Sequence, residues 1–364
     1  VISINIQDEL KVIGSYPSVM FNGREVPPSP KYNTLISPRE NVQRFFRKGG
    51  ALWTPNGGDI VTIIPKILPD NPARGFVFDL EPFDIKDAGG KDFFGIEWEY
   101  ITKVGGSMVR PGSGVLMEDV NDWEKFIKFP DLDDYDWEGS SKRLKEVTEA
   151  GRAVSVWVMN GIFERLISFM EFENAALALI DEDQKPAVHA LFSRLCDFYD
   201  DMFRRFKKYY NADGIYFHDD WGSQRAPFFS LSVCREMIVP YLKRVCDTCH
   251  SLGMYVDLHS CGYDELLVPA MIEAGVDVWS GQPMNDRVKM LKMYGDKIKL
   301  NIAPDPVVPK PGATKEEMES AAKESLDRFL DTYAPYLDSI LVSGMGSLPG
   351  MYERIYTLTR KTAG

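Results

Sequence analysis

Residues 256–265, VDLHSCGYDE, place His259 and Cys261 two positions apart, directly before Gly262. On a β-strand, side chains two apart point to the same face, so both can aim at one point if the strand extends that far. A neutral imidazole beside a thiolate suits Zn2+, and the glycine lets the backbone turn away sharply. Zinc takes about four ligands, or three with an exchangeable position, so this pair is at most half of a site. The alternative reading is a hydrogen-bonded core pair.

Two further stretches carry groups able to do chemistry. HDDW, His218 to Trp221, sets a histidine beside consecutive carboxylates. Neighbouring carboxylates repel, so one faces an open site while the other caps a loop, or both are held by partners. Asp219 and Asp220 are therefore candidates for substrate anchoring, acid–base work or metal ligation, against helix capping. NGIFER, Asn160 to Arg165, offers Glu164, although an acidic residue in the first turn of a helix is also favoured by the helix dipole alone. CDTCH, Cys246 to His250, matches the haem-attachment pattern. It lies inside a helical pattern where Val239, Leu242, Cys246 and Cys249 form an apolar stripe, so both thiols read as small core residues. No P-loop, dinucleotide fingerprint or nucleophile elbow is present, and GGSMVRPGSG reads as a loop.

The elements that must position these groups follow from the apolar pattern. AVSVWVMN, DGIYFHDD, GMYVDLHS, VDVWSG, IKLNIAPD and SILVSGMG each read as a buried parallel strand. Helices are expected from about Pro186 to Tyr210, from Val233 to Leu252, and after Thr314, where Glu317 completes a capping box. Ser37, Pro38 and Glu40 open an earlier helix as N-cap, first turn and third position. Strands alternating with helices mean a parallel sheet with helical crossovers. Six strands in the last part of the chain, with room for two more upstream, predict an α/β fold of the (β/α)8 TIM barrel type, with a doubly wound sheet as the alternative. Residues 1–36 read as an irregular N-terminal extension and 37–364 as a single barrel domain, with 51–140 as early barrel elements separated by long loops. A barrel does its chemistry past the C-terminal strand ends. Those ends are Asn160; His218, Asp219 and Asp220; His259, Ser260 and Cys261; Gln282; Asp305; and Ser343.

Composition sets the outer limits. With 44% hydrophobic and 26% charged residues, the chain is that of a water-soluble globular protein, and no apolar run is long enough for a membrane span. A net charge of -12 disfavours nucleic acid and anionic membrane as partners. Five cysteines without an export signal point to reduced thiols in the cytoplasm.

On the residues ADGIYFHDDWGSQ, PYLKRVCDTCHSLGMYVDLHSCG, MIEAGVDVWSGQP, KIKLNIAPD and NGIFERLISFMEFENAALALIDE, the chain resembles the uroporphyrinogen decarboxylase superfamily, and within it the branch of corrinoid-dependent methyltransferases. The likeness runs from SPRENVQRFFRKG to the C-terminus, and the superfamily fold is a (β/α)8 barrel. True decarboxylases of the family carry an arginine-rich RQAGR-like segment for propionate groups, which this chain lacks. The methyltransferase branch carries His-x-Cys and a second cysteine near the last strand, together binding zinc. His259 and Cys261 match the first part, whereas LVSGMGSLPG has Ser343, Met345 and Ser347 where the second cysteine belongs. The resemblance implies a methyl transfer from a small methylated donor, such as an aryl methyl ether, to a corrinoid protein. It implies zinc at His259 and Cys261, completed by oxygen from Asp219, Asp220 or Glu164. Catalytic work is then expected of Asp219, Asp220 and Glu164, and substrate binding of Asn160, His218, Gln282 and Asp305. A homodimer is allowed. The alternatives are a decarboxylase of a porphyrinogen-like or smaller acid, and a barrel that binds a ligand without catalysis.

Overall fold

The computed structural model describes residues 5–47, 50–103, 105–110, 115–343 and 348–361. Seven parallel strands form its central sheet: β1 Ile60–Ile63, β2 Ala153–Val158, β3 Gly214–His218, β4 Tyr255–Ser260, β5 Val278–Gly281, β6 Lys299–Ile302 and β7 Ile340–Val342. Each strand pairs with its neighbour in sequence order, so β1 and β7 are the edges. All six strands expected in the C-terminal part are present, because continuous apolar runs can be buried on both faces only in such a sheet.

The longer helices are α1 Pro38–Phe46, α2 Trp137–Thr148, α3 Ile162–Ala178, α4 Lys185–Tyr210, α5 Val239–Ser251, α6 Val268–Ala274, α7 Arg287–Tyr294, α8 Lys315–Tyr333 and α9 Met351–Thr359. Their starts follow the sequence signals. Ser37 Oγ accepts the Glu40 amide at 3.1 Å, with Pro38 in the first turn of α1. Thr314 and Glu317 form a reciprocal capping box on α8. Cys246 and Cys249 are fully buried in α5, as small core residues should be. Among the described residues, no helix is long and apolar enough to cross a membrane.

Two expectations need correction. The eight-stranded barrel is not closed: seven strands make the sheet among the described residues, and its edges meet at one parallel bridge, Asn56 to Val342. In the segment between β1 and β2, the apolar run Phe76–Phe78 adds no parallel strand: Phe78–Asp79 pairs antiparallel with Met20 and Phe21, and Phe78 also bridges Ile64 just past β1. Beyond it, Gly89–Lys91, Glu97–Ile101 and Gly106–Val109 make a separate antiparallel sheet where early barrel elements were expected. Residues 12–32 are not irregular either. Val12–Tyr16 pairs with Ser29–Tyr32, and Val19–Phe21 with Arg24–Val26. Turn glycines and prolines hid these short antiparallel strands, and α9 fastens them: Tyr32 stacks on Tyr352 at 4.9 Å and its hydroxyl bonds Glu353.

Candidate metal centre

Register brings the chemical groups together. In the β3–β4 ladder His218 lies opposite His259, so strand alternation turns Tyr216 and His218, Asp257 and His259, to the same face. The same parity carries Asp220 and Cys261, just past the strand ends, to that face. The two loops that follow then touch backbone to backbone. Gly262 sits at φ +102°, and a Cβ there would overlap the carbonyl of Gly222. Ser260 Oγ ties the loops further, accepting the Trp221 amide at 2.9 Å and donating to Asp264 at 2.8 Å.

The result is a compact cluster: ligand atoms of His218, Asp220, His259 and Cys261 all lie within 4.8 Å of one another. His259 Nε2 is 3.2 Å from Cys261 Sγ and 3.9 Å from Asp220 Oδ1, and His218 Nε2 is 4.0 Å from that same oxygen. Asp220 Oδ1 also accepts the Cys261 amide at 2.7 Å. The His259 ring bonds the Ser280 backbone, and burial followed by repulsion from His218 pushes its pKa down to about 3. Its imidazole is therefore neutral, the form that binds a metal. Burial and then the Asp220 carboxylate push the Cys261 thiol well up, a balance that a divalent cation bound there would reverse. Burial pulls the His218 pKa down, but Glu164 and Asp220 outweigh it and the net shift is upward. Two imidazoles, a thiol and a carboxylate converging at this spacing match the donor chemistry of Zn2+.

The remaining sequence candidates fall in different places. Asp219 turns away from the cluster, as alternation demands, and is 1% exposed. It caps α3, accepting the Glu164 amide at 2.8 Å and the Phe163 amide at 3.3 Å, and it accepts Trp221 Nε1 at 2.9 Å. Burial raises its pKa to about 7. Glu164 is beside the cluster, receiving a hydrogen bond from His218 Nδ1 at 2.5 Å and pairing with Arg74 at 3.1 Å. Asn160 is buried behind it, accepting from Arg74 at 2.7 Å and donating to Asp70 at 2.9 Å, so it does not face an open site. Gln282 donates to Cys261 Sγ at 3.2 Å and accepts the Gly262 amide at 3.0 Å. Asp305 is outside the cluster, with its side chain 87% exposed and 3.9 Å from Arg287. Of the positions where a second cysteine was sought, Ser343 follows β7, while Met345 and Ser347 lie outside the described residues.

Sequence reasoning missed Arg74 and Asp257. Arg74 ends the short helix Asp70–Arg74 and stacks on Trp98 at 4.9 Å, inside the stretch whose pattern was unreadable. Asp257 had a signal, since it precedes His259 by two and shares its face. It accepts from Ser280 Oγ at 2.6 Å and Asn301 Nδ2 at 3.0 Å, and burial lifts its pKa to about 7.

Comparison with known proteins bears on the fold. A methyltransferase from Methanosarcina mazei has a similar fold, with a TM-score of 0.55 and 15% identity over 89% of this chain and 98% of that one. A sugar phosphate isomerase/epimerase from Parabacteroides distasonis is more distant, at a TM-score of 0.31 and 12% identity over 68% of this chain and 79% of that one. A search of curated protein sequences returns no match. The family model for uroporphyrinogen decarboxylase (URO-D) matches residues 120–354, which include β2 to β7 and the whole cluster, and the chain belongs to that family.

Proposed function

We propose that this protein is a methyltransferase that moves a methyl group from a small methylated donor, of the aryl methyl ether type, to a corrinoid carried by a separate protein. One observation carries the reading: a metal-type donor cluster stands at the C-terminal ends of β3 and β4, where a barrel of this kind does its chemistry. His259 and Cys261 would hold Zn2+, with Asp220 in reach to complete the site. When bound, the ion supplies a Lewis acid that stabilises charge on the leaving oxygen of the donor. The chain's part is to hold the ether beside the cluster and keep His259 neutral. The C–O bond breaks with its electron pair left on oxygen, and the new bond to methyl uses the pair that the reduced corrinoid partner brings.

The decarboxylase alternative is disfavoured by the arginines of the region. An anionic tetrapyrrole needs unpaired cationic clamps. Arg74 is paired with Glu164, and Arg165 with Asp70 and Asp92, and both arginines are buried.

The test is a methyl-transfer screen of aryl methyl ethers and methylamines with reduced free cobalamin as acceptor. Transfer that disappears in Cys261→Ala supports the proposal. Turnover of uroporphyrinogen, with no transfer from any donor, would replace it with decarboxylation.

A further inference from the structure

The absent second cysteine leaves a vacancy in the sulfur-rich ligand set that the resemblance implies, and the structure offers a specific substitute. Resting on the zinc reading above, we infer that His218 Nε2 is the third metal ligand and that Glu164 is the positioning residue that holds it there.

The geometry is directional. The Nδ1 of His218 is taken by Glu164 Oε2 at 2.5 Å, which leaves Nε2 as the nitrogen that faces the cluster. That Nε2 and the Nε2 of His259 converge on the same oxygen, Asp220 Oδ1, at 4.0 and 3.9 Å, and the two rings are 4.7 Å apart. Both imidazoles therefore have an outer partner that fixes ring orientation: Glu164 for His218 and the Ser280 backbone for His259.

Glu164 is itself immobilised. Its other oxygen accepts from both terminal nitrogens of Arg74, at 3.1 and 3.2 Å, and the two side chains are 11% and 10% exposed. Arg74 is held in turn by Asn160, and Asn160 by Asp70. A carboxylate with both oxygens engaged in this way is not placed to meet substrate. It acts through His218, which removes Glu164 from the catalytic role its sequence position suggested.

The substitution has a chemical consequence. An imidazole in place of a thiolate leaves more positive charge on the centre, and a harder ligand set favours oxygen over sulfur as the exchanging group. That matches a donor whose leaving atom is oxygen, and it opposes a centre specialised to activate a free thiol as methyl acceptor.

The test is zinc affinity by chelator competition, with cobalt(II) spectra of the same variants as a readout independent of activity. Wild type is expected to bind zinc with a sulfur-to-cobalt charge-transfer band in the cobalt form. Glu164→Ala should weaken binding about 10–100-fold, and His218→Ala should weaken it further and change the ligand-field bands while keeping the charge-transfer band. Glu164→Gln, which can still accept from Nδ1, should recover part of the loss that Glu164→Ala shows. His218→Gln, close in volume, serves if the alanine variant fails to fold. Unchanged affinity and an unchanged cobalt spectrum in the His218 variants would overturn this inference alone. A wild-type protein that binds no metal would overturn the zinc reading beneath it.

Discussion

His218 and His259 lie directly opposite each other in the β3–β4 ladder, and that pairing decides which neighbours can reach the centre. Counting two residues onward from each gives Asp220 and Cys261. Counting one gives Asp219, which caps α3, and Ser260, which ties two loops. A shift of either strand by one residue would take the whole donor set apart.

The loop contact that lets these strands end together is sensitive to a single methyl group. Gly262→Ala places a Cβ against the Gly222 carbonyl at a backbone angle that L-residues avoid. It should destabilise the protein by more than about 1 kcal/mol and lower its zinc affinity. Thermal unfolding with and without chelator checks this, and an alanine variant with wild-type melting and metal binding would contradict it.

Arg165 is 1% exposed and joins Asp70 to Asp92, linking α3 to the antiparallel insertion. Arg165→Leu strips two buried carboxylates of their cation. The expected loss is about 3–5 kcal/mol of unfolding free energy, read from denaturant midpoints.

Within α3, Glu171 adopts φ 63° and ψ 168°, a region that suits glycine alone, and breaks the helix there. The break is used, because the Phe169 carbonyl accepts the amides of Leu116 and Met117. Glu171→Gly should therefore hold or raise the melting temperature, whereas Glu173→Gly, exposed in the same helix, should cost about 1 kcal/mol. Equal losses at the two positions would contradict the strain.

Stability also carries a local pH signature away from the centre. His250, in the last turn of α5, bonds Asp277 at 2.8 Å, and that bond raises its pKa. A histidine with a raised folded pKa contributes stability in full below its unfolded value, and loses it as pH rises through the folded one. His250→Gln should therefore narrow the stability gap between about pH 6 and pH 9 relative to wild type. Urea midpoints across that range test the sign.

Much of this was legible from residue order. The six later strands were readable because each is a continuous apolar run between helical patterns. The capping box at Thr314 and the buried role of Cys246 and Cys249 were readable from spacing. The separate fates of Asp219 and Asp220 follow from alternation once the facing of His259 is known, but a strand end alone does not announce its facing. The early segment was opaque because its apolar run Phe76–Phe78 reads like a sheet strand, yet Phe78–Asp79 pairs with a hairpin some 60 residues earlier in the chain. Nothing local in DNPARG marks Arg74 as the partner of Glu164, a contact 90 residues away.

The zinc site proposed at these strand ends is built on His259 and Cys261. Zinc content of the purified wild-type protein and of His259→Ala tests it most directly. About one zinc per chain is expected in the wild type, lost in the variant. A wild type free of zinc after reconstitution, or a variant that keeps its zinc, would contradict it.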